Sequence, residues 1–232
     1  MVSSTSEPSS QRLLRLSTGE GCNINTAIRT ISAVLVLCFT ATPVRAQPGD
    51  VVQFFAGAAL GLGLHESGHL ILDEAFGANP GVRKVSAGFI PFFAITHESV
   101  SPLKEFTISS AGFWVQHAGS EVLLTRRPNL HDEHAPLAKG LLAFNVLTSV
   151  MYAGTAFARR GPSERDTRGM AVSADVPEPL IGVTVLAPAV LDGVRYYRPR
   201  SRALRWASRA SKIGGALLIL KAAGSRQPAV GG

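Results

Sequence analysis

Residues 61–69 read Gly-Leu-Gly-Leu-His-Glu-Ser-Gly-His, and the rest of the chain is organised around this stretch. On a helix, His65 and His69 lie one turn apart, so their imidazoles point the same way. Two neutral imidazoles at that spacing suit two corners of a tetrahedral zinc site. Glu66 lies about 100° further round the helix, where a carboxylate can take a proton from a water molecule on the metal. The stretch therefore predicts zinc-assisted hydrolysis, most simply of a peptide bond.

The sequence around the motif bears on whether the match is accidental. Between residues 51 and 72 the only ionisable side chains are His65, Glu66 and His69. Three ionisable groups in an otherwise apolar run are costly unless they pair with each other or bind something. The alternative is a histidine pair on a packed helix beside an unrelated carboxylate, because the motif fixes only three positions. The apolar context favours the metal site.

The composition indicates a few membrane helices joined by polar loops. Of the 232 residues, 46% are hydrophobic and only 17% are charged. The net charge is +7, but the basic residues do not alternate with aromatic ones, which make up 7%. Membrane lipids are therefore predicted partners, and nucleic acid is not. The only cysteines, Cys22 and Cys38, lie in the leader described next, so a thiolate zinc site is excluded if that leader is removed.

The chain divides into three predicted parts. Residues 1–46 combine a basic, Ser- and Thr-rich start with an apolar run and small residues before position 47, which predicts a signal peptide or an N-terminal anchor. Residues 47–222 are predicted to form a membrane-embedded metalloprotease-like domain, and residues 223–232 a disordered tail. We expect a multi-pass protein of a membrane, the bacterial inner membrane.

The predicted fold class is all-α, a polytopic membrane helix bundle of about four spans with a short β-hairpin after the first. The clearest span has 18 residues without a charge. A polar loop is predicted at 161–178, and the basic stretch at 195–212 is predicted to lie at the membrane interface. The predicted spans are 51–76, 106–124, 141–158 and 179–191, and the hairpin is 82–96.

Two further groups contain histidine. His97 and Glu98 have no second histidine four residues on, and we interpret them as loop residues. The run His-Asp-Glu-His at 131–134 has the residue types of a metal site, but charged runs in loops are more often solvated. We therefore place the metal at residues 65–69 and not at these two groups.

The motif at 65–69, in a predicted membrane helix, resembles that of the site-2-protease class of intramembrane zinc metalloproteases. Ser-Ala-Gly-Phe at 110–113 resembles an Ala-Gly-Pro stretch of that class, with Phe113 in place of the proline. Pro-Ala-Val-Leu-Asp-Gly at 188–193 resembles its Leu-Asp-Gly motif, whose aspartate is a zinc ligand. The resemblance implies an endopeptidase that binds Zn²⁺ and cuts a membrane protein or a membrane-proximal peptide, with Asp192 as the third ligand.

The order of the spans favours Asp166 as the third ligand, with Asp192 as the alternative. The histidines lie late in the first span, and Asp166 follows the third span on the same side of the membrane. Asp192 lies thirteen residues into the fourth span, which is about 20 Å along a helix and deeper than the histidines. In the class that the chain resembles, one span separates the Ala-Gly-Pro helix from the ligand helix, an order that Asp166 fits. The two alternative functions are a non-catalytic metal-binding or structural membrane protein and a membrane-tethered soluble zincin.

Overall fold

The computed structural model describes residues 47–87 and 90–224, which form six helices and one two-stranded antiparallel sheet. The predicted helical class and the hairpin are confirmed. The predicted leader and residues 225–232 of the predicted tail lie outside the described residues. The elements are α1 Pro48–Phe76, β1 Gly81–Ala87, β2 Ile90–Thr96, α2 Pro102–Arg126, α3 Pro136–Ala158, α4 Asp166–Ala174, α5 Glu178–Tyr197 and α6 Arg202–Gly224.

Helix α1 carries the histidine motif and ends in a glycine turn. Gly77 has a φ of 64°, in the left-handed region that favours glycine. Its N–H donates to the carbonyl of Glu74 at 3.1 Å, and the N–H of Ala78 donates to the carbonyl of Asp73 at 2.8 Å. These bonds satisfy the last carbonyls of the helix and turn the chain into the hairpin.

Glycines let α1 and α3 approach at backbone distance. A Cβ at Gly57 would overlap the carbonyl of Leu137, and a Cβ at Gly140 would overlap that of Phe54. One turn further along α1, a Cβ at Gly61 would overlap the ring of Phe144. The crossing of the two helices therefore requires hydrogen at these positions, as in closely packed membrane helices.

The two faces of α1 reverse the pattern of a soluble helix, in which apolar residues point inward. Its buried face contains no large apolar residue, and its exposed face is rich in them. The buried residues are Gly57, Gly61, His65, Gly68, His69 and Asp73. The exposed large apolar residues are Val51, Val52, Phe55, Leu60, Leu64, Leu70 and Ile71.

Helix α4 lies where a polar loop was predicted, so that prediction is wrong for Asp166–Ala174. The sequence there is polar on average, but Met170, Ala171 and Ala174 are buried. They pack into an apolar cluster with Phe106 and Phe113 of α2. This tertiary contact overrides the low local hydrophobicity, and it anchors the chain beside α1.

Two of the described helices, α3 and α5, are long and apolar enough to cross a membrane, fewer than the four predicted spans. Helix α1 is longer than either, at 29 residues, but its glycines and the charged motif lower its mean hydropathy. Helix α2 contains Gln116, His117 and Glu121, which have the same effect. Composition thus explains why α3 and α5 are apolar enough for a membrane span by this measure, whereas α1 and α2 are not.

The basic stretch at 195–212 contains the end of α5, a break at residues 198–201 and the first half of α6. Polar side chains attach α6 to the bundle. Glu121 of α2 accepts bonds from Arg195 at 2.6 Å, Arg209 at 2.8 Å and Lys212 at 3.1 Å. This arrangement explains why the inner face of α6 is charged.

Candidate metal centre

Three donor atoms from α1 and α4 lie at the corners of a nearly equilateral triangle. His65 Nε2 and His69 Nε2 are 3.3 Å apart. Asp166 Oδ2 is 3.3 Å from the first and 3.5 Å from the second. With zinc bonds of about 2.0–2.1 Å, two corners of a tetrahedron are about 3.3–3.4 Å apart. Among the described residues, this group of His, Cys, Asp or Glu side chains is the one placed to hold a metal ion.

Helix α2 orients both imidazoles. His69 Nδ1 donates to the carbonyl of Ile108 at 2.8 Å, which leaves Nε2 to face the centre of the triangle. The His65 ring lies against Gly112, where an added Cβ would overlap it, and its centroid is 5.6 Å from that of Phe113. The Ser-Ala-Gly-Phe stretch thus packs directly on the histidine motif.

Asp166 is the first residue of α4, and an ion pair fixes the turn before it. Arg165 makes a bidentate bond to Glu178 of α5, with distances of 2.7 and 2.6 Å. Thr167 donates to the same carboxylate at 2.9 Å. Burial opposes ionisation of Asp166, but the two imidazoles outweigh it and hold the pKa of its carboxyl well below the usual range.

Asp192, the alternative third ligand, does not belong to this group. It is buried between α5 and α6, where Ser208 donates to its Oδ1 at 2.6 Å and Lys212 at 2.9 Å. Its carboxylate has a cationic partner without a metal. The structure therefore brings together the set that the order of the spans favoured, and it assigns Asp192 a place in the ion network of α6.

A cavity of about 440 Å³ opens beside the triangle. Glu66 lines it next to both histidines, as the motif predicts for a general base. The wall also contains Tyr152 of α3, whose ring centroid is 6.1 Å from that of His65 and whose hydroxyl interacts with the Asp166 carboxylate. Sequence reasoning missed Tyr152, because a tyrosine inside an apolar run gives no signal of its own.

The other histidines lie apart from the triangle. His131 bonds the neighbouring Asp132 at 3.0 Å, and His134 bonds Asp50 at 3.0 Å, on exposed side chains. His97 is in a loop, as predicted, and its Nδ1 donates to the carbonyl of Glu98 at 2.9 Å. Its ring nevertheless reaches the far end of the cavity.

No protein-family model, curated protein or solved structure matches the chain. The described residues themselves provide a His-His-Asp group that can hold a metal ion, a carboxylate beside it and a cavity in front of both.

Proposed function

We propose that this protein is a zinc-dependent intramembrane endopeptidase, a divergent site-2-protease-like enzyme that cuts a membrane-embedded or membrane-proximal peptide. The observation that carries the proposal is the spacing of 3.3 to 3.5 Å between the donor atoms of His65, His69 and Asp166. Two imidazoles and one carboxylate with a fourth position open are a donor set of catalytic zinc sites. Zinc is favoured over magnesium or calcium because those ions prefer oxygen ligands.

The residues around the triangle match the needs of peptide hydrolysis. Zinc held by the two histidines and Asp166 would supply Lewis acidity toward a carbonyl group and toward water. Glu66 lines the cavity beside these ligands, where its carboxylate can accept the proton that water loses on attacking the peptide. The Tyr152 hydroxyl interacts with the Asp166 carboxylate on the same cavity wall, where it can help to hold that carboxylate toward the histidines.

The distribution of polar and apolar side chains supports a membrane-embedded site with four spans, α1, α2, α3 and α5. These helices have 29, 25, 23 and 20 residues, and about 20 residues cross a bilayer. On α1 the large apolar residues face outward, and His65, His69 and Asp73 face inward, as expected in lipid. On α6, Trp206, Ile213 and Leu217 face outward over a charged inner face, which suits a helix at the interface.

Glu66→Gln tests the enzymatic part of the proposal. Because the amide cannot act as a base, the detergent-purified variant should keep a full equivalent of zinc and lose proteolysis by about 10²–10⁴-fold. Metal content by mass spectrometry and cleavage of a panel of membrane-derived peptides would be measured together. If the wild type binds zinc but cleaves none of the panel, the protein is a non-catalytic metal-binding protein. If Glu66→Gln cleaves normally, Glu66 is not the general base and the proposed mechanism is wrong.

Two aspartate variants test the metal site itself. Asp166→Ala should lose the bound metal, and Asp192→Ala should keep it, because only the first aspartate lies with the histidines. Extraction of membranes at alkaline pH without detergent tests the location, and we expect the protein to stay in the pellet. Metal loss in Asp192→Ala alone would reverse the assignment, and release into the supernatant would indicate a soluble zincin.

A further inference from the structure

The polar face of α1 continues one turn beyond the metal-binding residues, to Asp73. This side chain is 0% exposed, and neither carboxylate oxygen has a hydrogen-bond partner among the described residues. It lines the same cavity as His65, Glu66 and His69. A buried carboxylate without a partner is costly, so its retention at a cavity wall points to a partner that arrives through the cavity.

The surroundings of Asp73 are acidic. His97 also lines this end of the cavity, and its Nε2 is 3.4 Å from Oε2 of Glu105. The other oxygen of Glu105 accepts a bond from Ser109 at 3.0 Å. Within the described part of the chain, no lysine or arginine forms a salt bridge with Asp73 or Glu105.

The nearest candidates for a counter-ion are engaged elsewhere. Lys104 donates to the carbonyl of Phe76 at 3.3 Å and lies 5.4 Å from the centre of its ring. Arg83 on β1 pairs with Glu164, another residue of the cavity wall. This end of the cavity therefore has the Asp73 carboxylate and His97 on its wall, with the Glu105 carboxylate bonded to His97, and it is complementary to a positive charge.

We propose that Asp73, together with Glu105 and His97, is a subsite for a cationic side chain, lysine or arginine, of the substrate. The inference rests on the proposed peptidase function and names the class of peptide. Asp73 lies four residues beyond His69 and eight beyond His65 on α1, so it is about 9 Å along the helix from the level midway between the two histidines. An extended peptide advances about 3.3 Å per residue, so the cationic residue lies two to three residues from the scissile bond.

The opposite end of the cavity has a different character. Leu62 lies before the histidines on α1, and Phe144 and Met151 face it from α3. A peptide that passes the metal-binding group therefore meets apolar side chains on one side and carboxylates on the other. The preferred substrate has an apolar residue on one side of the cut and a basic residue on the other, the pattern at the end of a membrane helix.

A second metal ion is a weaker occupant for this subsite. The donor atoms of Asp73, Glu105 and His97 do not converge within ligand distance, and the convergent group in the described residues is the triangle of His65, His69 and Asp166. A metal ion needs several donors at once. A lysine or arginine side chain needs one buried carboxylate and a path through the cavity, and it is long enough to follow that path.

The test uses the full-length, zinc-loaded protein in detergent and a mixture-based peptide library read by mass spectrometry. The wild type should favour lysine or arginine over glutamine by about tenfold or more at one position, two or three residues from the cut. The reason is that the cationic side chain forms a hydrogen bond with the charged carboxylate of Asp73. Asp73→Asn should reduce that ratio to about twofold or less. Glu74→Gln, the exposed carboxylate next to it, is the matched control and should keep the ratio.

Binding measured without turnover separates this inference from the proposed activity. Fluorescence anisotropy on Glu66→Gln would compare one peptide containing lysine with the same peptide containing norleucine. Asp73→Asn in that background should abolish the difference, and Glu105→Gln should reduce it several-fold, so the result does not depend on one variant folding. No preference for lysine, or a preference that survives both variants, would overturn the subsite. A second equivalent of metal that Asp73→Asn removes would also overturn it.

Discussion

Gly112→Ala should disable the metal centre without disturbing the fold. An alanine Cβ at this position would lie 2.6 Å from His65 Nε2, whereas ordinary contacts at a Cβ begin at 3.4 Å. The imidazole must therefore move by about 1 Å, several times the variation of about 0.2 Å that metal–ligand distances allow. His65 then cannot occupy its corner of the triangle while His69 and Asp166 keep theirs.

The expected loss follows from the energy of a single ligand. Zinc bound by four ligands in small structural sites contributes about 10–16 kcal/mol, or roughly 3–4 kcal/mol for each ligand. Since every 1.4 kcal/mol is a factor of ten, the zinc affinity of Gly112→Ala should fall by roughly 10²–10³-fold. Competition with a chromogenic chelator would measure the affinity, and the thermal midpoint of the metal-free protein would report the fold.

Two glycines provide matched controls for this prediction. Gly63 lies on α1 with nothing within 4 Å of an added Cβ, and at Gly119 on α2 the nearest atom is Nδ2 of Asn145 at 3.8 Å. Alanine at either position should leave zinc affinity unchanged and favour the helix slightly. If the zinc affinity of Gly112→Ala is within threefold of that of the wild type, the His65 ring is not a ligand in the orientation described. The proposed set of three ligands would then be wrong.

Three other variants probe what surrounds the triangle. Tyr152→Phe removes the hydroxyl that interacts with Asp166 and should weaken zinc binding by about tenfold in the chelator assay, whereas phenylalanine at either other tyrosine should not. Arg165→Lys cannot form the bidentate pair and should lower the free energy of unfolding by about 1–2 kcal/mol in a denaturant titration. Lys212→Met leaves Asp192 buried without its cation and should destabilise the protein by about 3–5 kcal/mol in the same titration, with zinc content unchanged; wild-type stability would show that the pair contributes nothing.

The sequence was sufficient to predict the site residues that lie close together along one helix. His65 and His69 converge because residues four apart on a helix share a face, and that follows from the sequence once the helix is predicted. Asp166 is 97 residues from His69, yet the order of the predicted spans favoured it as the third ligand, and its Oδ2 lies 3.5 Å from His69 Nε2. The similarity of residues 188–193 to a ligand motif was less informative, because Asp192 in that segment has its own cation, Lys212. The order of the predicted spans depends on the whole chain, whereas a short motif gives information only about its own residues.

Asp73 is a residue whose burial at the cavity cannot be predicted from its spacing along α1. It follows His69 by the interval that separates His69 from His65, so the three residues share a face of α1. In sequence, however, it directly follows the apolar run and looks like the start of a polar connection. Whether such a residue faces solvent or a cavity depends on the hairpin and the first turn of α2, which fold back over it and bring His97 and Glu105 close. Those contacts depend on the turn at Gly77 and on packing between helices. The spacing of residues along α1 predicts neither of them. The burial of Asp73, on the face of α1 that it shares with His65 and His69, is therefore evident only from the folded structure. Its surroundings there are the basis for proposing a cation as its partner.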